Sequence, residues 1–124
     1  MSELEARKAI EAYFEAFNAQ DEEAMRGRLH FPFAWIVNNR VRPVATAAEF
    51  EAPTKILIRS EGWARSEVDF IEIVQAWDEK VHAKLAYSRF RADGTRYATH
   101  ECLWILTKVD DHWGVQLMSL HIPD

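Results

Sequence analysis

Apolar residues return every three or four positions through Leu4, Ala6, Ile10, Tyr13, Phe14 and Phe17, while Glu5, Lys8, Glu11 and Glu15 fill the remaining positions. That spacing predicts an amphipathic helix with one buried stripe. Ser2 followed by Glu5 has capping-box spacing and marks its start. Burial of Ile10, Phe14 and Phe17, at about 1.5–3 kcal/mol each, requires an apolar surface for the stripe to dock on. Asp21 is placed to cap a short second helix, with Glu22 and Glu23 in the first turn, where the helix dipole favours them, and Gly27 at its end. Thr46 and Glu49 repeat the capping-box spacing before a third helix over 47–61. Pro53 must kink or divide that helix, and Gly62 stops it.

Further along, the period changes. The segment "FAWIVNNRVRPV" alternates around Asn38 and Asn39, two residues that tolerate positive φ, and predicts a short hairpin. From Val68 onward the β-rich runs Val68–Trp77, Lys80–Ala92, Thr95–Val109 and His112–Ile122 are separated by Asp78-Glu79, Asp93-Gly94 and Asp110-Asp111. These predict a four-strand antiparallel meander. Two-residue turns fix register, so the faces can be written out. One face carries Phe70, Glu72, Val74, Leu85, Tyr87, Arg89, His100, Cys102, Trp104, Leu117, Ser119 and His121, with Tyr87 opposite His100 and His100 opposite His121. The other carries Ile71, Ile73, Leu103, Ile105, Met118 and Leu120. The expected fold class is α+β: a curved antiparallel sheet, meander plus short hairpin, packed on three helices from the N-terminal half. Helices can cover one face; a second copy of the chain is the simplest cover for the other, which predicts a homodimer.

Length and charge narrow the function classes. With 124 residues the chain is expected to form a single domain, 1–124. A net charge of −5 argues against nucleic-acid binding, which rests on Lys and Arg neutralising phosphates. The apolar runs are too short to span a bilayer, and "MSELEARKA" is charged, unlike a signal peptide. Cys102 is the single cysteine, which excludes an internal disulfide and fits a reducing, cytoplasmic compartment.

Two stretches carry a family likeness: "YFEAFNAQD" at a helix end and "DDHWGVQLMS" in the last strand after a tight turn. With the order helix, helix, hairpin, helix, meander, the chain resembles the nuclear transport factor 2-like superfamily, which includes ketosteroid isomerases and SnoaL-like polyketide cyclases. The resemblance implies a cone with a pocket between curved sheet and helices. It matches Tyr13 to the isomerases' oxyanion-donating tyrosine. The position nearest their aspartate base is Asn38, which cannot accept a proton, and their second oxyanion donor falls at Cys102 or His100. Ordinary ketosteroid isomerisation is therefore not implied. Scytalone-dehydratase-like members are similar in using pocket histidines.

Within that frame the candidate chemistry is His100 as a base of near-neutral pKa, with Tyr13 or Tyr87 as polariser and His121 nearby. Phe14, Phe33, Trp35, Asn38, Glu72, Arg89, Cys102, Trp104 and Ser119 are the expected pocket residues, and the aromatics favour a flat apolar ligand. No Cys-x-x-Cys or His-Glu-x-x-His spacing points to a metal, and no cofactor is expected. Two functions fit. One is a small isomerase, dehydratase or cyclase acting on an apolar substrate. The other is a non-catalytic ligand-binding or protein-interaction module. An open pocket on which His100 and a tyrosine converge favours the first, and a pocket filled by Phe14, Trp35 and Trp104 the second.

Overall fold

The N-terminal stripe becomes helix α1, Ser2–Asn18, which buries Ala6, Ala9, Ile10, Tyr13, Phe14, Ala16 and Phe17 in the computed structural model, where residues 2–123 are described. The helix already includes Ser2, so it begins slightly earlier than a Ser2 cap would place it. Its last residue clamps the sheet: the Asn18 amide donates to the Ser66 carbonyl at 2.9 Å and accepts from the Ser66 N–H at 2.8 Å. Asp21 caps α2 (Glu22–Arg26) by accepting from the Ala24 N–H at 3.1 Å. Pro53 divides the third helix. A single 3-10 turn, Ala47–Glu49, precedes α3, Thr54–Glu61, which begins directly after Pro53. The second capping box does not form: Thr46 makes no side-chain cap bond, and Glu49 accepts from the Ala45 N–H at 3.2 Å, one residue before the cap. Gly62 ends α3 at φ 71°, a left-handed conformation that side-chain-bearing residues resist.

Among the described residues the strands are β1 Leu29–Val37, β2 Arg40–Val44, β3 Trp63–Ala76, β4 Lys80–Arg91, β5 Arg96–Val109 and β6 His112–Leu120. They form one sheet in the order β2-β1-β6-β5-β4-β3, the hairpin joining the meander through a parallel β1–β6 contact. β1 and β3 both start several residues before the alternating pattern suggests. No helix is long and apolar enough to cross a membrane, among the described residues.

Bulges correct the expected faces. Tyr87 does pair with His100. Between Ile105 and Leu106, however, the β5–β6 register shifts, so that Trp104 pairs with Met118 and Cys102 with Leu120. Between Ile73 and Gln75 the β3–β4 register also shifts, and Ile73 then pairs with Ala83 and Ile71 with Leu85. One extra residue on one strand reverses the in–out alternation beyond it. Ile71, Ile73, Met118 and Leu120 consequently pack inward against the core, instead of forming the outer face expected of them. Glu72, Ser119 and His121 turn outward, and His121 lies beyond the end of β6, no longer opposite His100. The outer face instead shows Phe70, Val74, Leu103 and Ile105 beside Glu72, Lys84 and Glu101.

Candidate functional site

Helices α1 and α3 stand off the inner face of the sheet and leave a cavity of about 300 Å³. That lies at the small end of the usual ligand-pocket range. Tyr13, Phe14 and Phe17 come from α1, and Ile56, Leu57 and Glu61 from α3. Trp35, Val37 and Arg42 come from the hairpin, and Tyr87, Arg89, Cys102, Trp104, Met118 and Leu120 from the meander. Register explains the convergence, because Trp35–Met118–Trp104 and Val37–Leu120–Cys102 are cross-strand rows on one face.

The walls are aromatic and mutually braced. Phe14 stacks on Trp104 with ring centres 5.3 Å apart and planes within 6°, and Tyr13 meets Trp104 edge-on at 5.6 Å. Trp35 stacks on Phe50 at 5.8 Å. Phe14, Trp35 and Trp104 therefore line the space without filling it. Tyr13 is 3% exposed, yet among the described residues its hydroxyl has no hydrogen-bond partner and is not sealed in protein. The hydroxyl opens on the cavity. Burial, with Tyr87 nearby, raises its pKa far above the ordinary tyrosine value, so it is a permanent donor.

At the polar end, the Arg89 guanidinium donates from Nη1 to Glu61 Oε1 at 3.1 Å and from Nη2 to the Tyr87 hydroxyl at 3.4 Å. The Tyr97 hydroxyl donates to the same Glu61 oxygen at 2.8 Å. Burial pushes Tyr87 up to about 12 and the Cys102 thiol up to about 12. Cys102 is thus a protonated packing residue rather than a nucleophile.

His100 lies behind this end, its ring centre 5.5 Å from that of Tyr87. It lines an adjoining cleft with Ser60, Glu61, Arg89, Arg91 and Tyr97, and is absent from the cavity wall itself. Burial first, then the Arg89 charge, lowers its pKa, with Glu61 opposing. Both His100 Nδ1 and Arg89 Nε are sealed and lack partners among the described residues.

The fold thus brings Tyr13, Phe14, Trp35, Tyr87, Arg89, Cys102 and Trp104 together. Phe33, expected in the pocket, is 1% exposed and packs edge-on behind Trp35, in the core. Asn38 sits at the hairpin tip with φ 55°, and its amide holds the Ile122 backbone at 3.0 and 2.7 Å. Ser119 and His121 line a shallow outer groove with Asn38, away from the aromatic wall, and Glu72 is exposed on the outer face. Glu61 and Arg42 escaped the sequence reading. Gly62 marks Glu61 as a helix end, but its meeting with Arg89 is a long-range contact that no local pattern shows. Among the described residues no three His, Cys, Asp or Glu side chains converge as metal ligands.

A family model described as "NTF2-like protein (DUF6841)" matches residues 2–122. No curated protein matches the sequence. The chain is similar in structure to a protein of unknown function with a cystatin-like fold from Nostoc punctiforme PCC 73102, at a TM-score of 0.79 and 11% identity, covering 98% of this chain and 90% of that one. It is also similar to an NTF-2 like protein of unknown function from Shewanella oneidensis MR-1, at 0.74 and 16% identity over 98% of this chain and 100% of that one. An NTF2-like protein with a cystatin-like fold from Novosphingobium aromaticivorans gives 0.75 and 14% identity, over 99% and 82% of the two chains. At these identities the likeness shows the fold alone.

Proposed function

The chain belongs to the NTF2-like family whose model spans residues 2–122, and on that premise we propose that its cavity binds a small, flat, mainly apolar organic molecule. One observation carries the reading: an unpartnered, permanently protonated tyrosine hydroxyl opens on an aromatic-walled space. A donor held in an apolar cavity selects a ligand with one acceptor, because leaving the donor unpaired in a filled, dry site costs about 1–3 kcal/mol. The test is calorimetric titration with 2-naphthamide, a flat body with one amide. Saturable one-to-one binding that a folded Leu57→Trp variant loses is the expected result. A wild-type protein that binds no such molecule contradicts the reading.

A second reading, chemistry of the isomerase, dehydratase or cyclase type, is favoured by the carboxylate that Glu61 brings to the same wall. Glu61 would take a proton from carbon beside a carbonyl that Tyr13 polarises. Deuterium exchange into the α-carbon of 2-tetralone in D2O tests it. Exchange that stops in Glu61→Gln supports catalysis, and exchange no faster than in buffer leaves binding as the function.

We further propose that a second copy of the chain covers the outer face. Its apolar centre, Phe70, Val74, Leu103 and Ile105, is flanked by Lys84 and by Glu72 and Glu101, charges of both signs. A two-fold interface requires that kind of self-complementary patch.

A further inference from the structure

We propose that the polar end of this cavity is an anion site, and that the ligand is a flat apolar acid, an aryl carboxylate, whose carboxylate takes the place of Glu61 on Arg89. The inference rests on the pocket reading above and specifies its ligand.

Arg89 is the first reason. Its side chain is 11% exposed, and it stands at the end of a cavity whose other walls are largely aromatic. A guanidinium removed from water needs an anion and a full set of acceptors. Here it has one carboxylate oxygen and a long contact to Tyr87, while Nε has no partner. A guanidinium takes up a carboxylate best through two parallel donors, and Arg89 makes a single bond to Glu61.

His100 is the second, independent reason. It is 8% exposed, and its Nδ1 is sealed without a partner on the strand next to Arg89. Two neighbouring buried polar groups with unused hydrogen-bonding capacity are unusual in a protein interior, where nearly all such groups are paired. Both atoms are sealed and His100 stands off the cavity wall, so they show that the cluster around Arg89 is under-satisfied and give a ligand no direct contact.

Glu61 is a poor permanent partner, which is the third reason. It is the last residue of α3, where the helix dipole disfavours a carboxylate, and its side chain is 37% exposed. Gly62 follows it in the left-handed conformation, so the chain can turn there without a Cβ penalty. Displaced from Arg89, Glu61 keeps the Tyr97 hydroxyl, 2.8 Å away, and access to water. Arg91, whose guanidinium lies 4.3 Å from the Tyr97 ring centre, adds positive charge to the adjoining cleft.

The test compares 2-naphthoate with 2-naphthamide, matched in shape and differing in charge, by calorimetry at pH 7. Naphthoate is expected to bind wild-type protein at least tenfold more tightly than the amide. Arg89→Met should abolish that preference, read as the ratio of the two affinities. Glu61→Gln should raise the naphthoate-to-naphthamide preference several-fold, because the competing carboxylate is gone. Equal affinity of wild type for both probes overturns the inference and leaves the pocket reading standing. Preference for the acid that survives in Arg89→Met also overturns it. Binding of neither probe removes the pocket reading, and the inference with it. Should Arg89→Met fail to fold, the wild-type pair and Glu61→Gln decide the matter.

Discussion

Changing Tyr13 to Phe removes one oxygen atom and leaves every ring contact in place. The ring centre sits 5.6 Å from that of Trp104, 6.1 Å from Phe14 and 6.0 Å from Phe17, ring contacts that a phenylalanine keeps. Had that hydroxyl satisfied a buried backbone group, its loss would cost about 0.5–1.5 kcal/mol. Here no protein group among the described residues is left unpaired, so stability should change by less than about 0.5 kcal/mol. For a domain of this size that is roughly 2 °C in the unfolding midpoint. Binding should respond in the opposite way. Losing the hydrogen bond to the amide oxygen of 2-naphthamide should weaken binding by roughly 2- to 12-fold, the equivalent of about 0.5–1.5 kcal/mol. Naphthalene, which has no acceptor, serves as the control and should bind both proteins equally. Scanning calorimetry and paired titrations read both quantities. A midpoint lowered by several degrees, or an equal loss of naphthalene and naphthamide affinity, refutes a hydroxyl free in the cavity.

Three further outcomes are expected. A methyl group at Gly114 would meet the His30 ring at 2.9 Å, and that ring is tied to Thr107 at 2.8 Å, so Gly114→Ala should cost ~1–3 kcal/mol and His30→Ala should recover much of the loss, as chemical denaturation will read. His100, surrounded by Tyr87, Arg89, Arg91, Tyr97 and Glu61, has a folded pKa below the ordinary 6.5; its contribution is therefore fully present above that pH and lost as pH falls through the unfolded value towards the folded one. His100→Gln should flatten the fall in stability below pH 6.5, while an unchanged slope would assign the fall to other groups, His30 among them. Leu103, 40% exposed on the outer face, should be harmless as Glu in a monomer and disruptive in a dimer; sedimentation of wild type and Leu103→Glu separates the two, and a wild-type monomer at micromolar concentration refutes the outer-face dimer.

Much of the architecture is legible in the chain because it is written in local chemistry. Helical spacing from Ala6 to Phe17, the Asp21 cap, Pro53 and Gly62 each act within a few residues, and each appears where the spacing puts it, whereas Leu4, expected on the same stripe, stays exposed. The wall formed by Tyr13, Phe14, Tyr87, Cys102 and Trp104 is equally legible, since it needs only the α1 stripe and the Tyr87–His100 register of β4 and β5. What failed depended on bulges. The β5–β6 pair carries one register shift and the β3–β4 pair three, which the alternating pattern does not mark, and past the shift nearest each turn Ser119, His121 and Glu72 exchange faces with Met118, Leu120 and Ile71. Glu61 was missed for another reason: its role arises where a helix end meets a strand far along the chain.

A crystal structure of the protein soaked with 2-naphthamide tests the central claim most directly. The account predicts density for the ligand inside the cavity, its rings against Trp104 and its amide oxygen within hydrogen-bonding distance of the Tyr13 hydroxyl. A cavity closed by Trp35, Ile56 or Leu57, with the Tyr13 hydroxyl bonded to protein and no ligand inside, would contradict it.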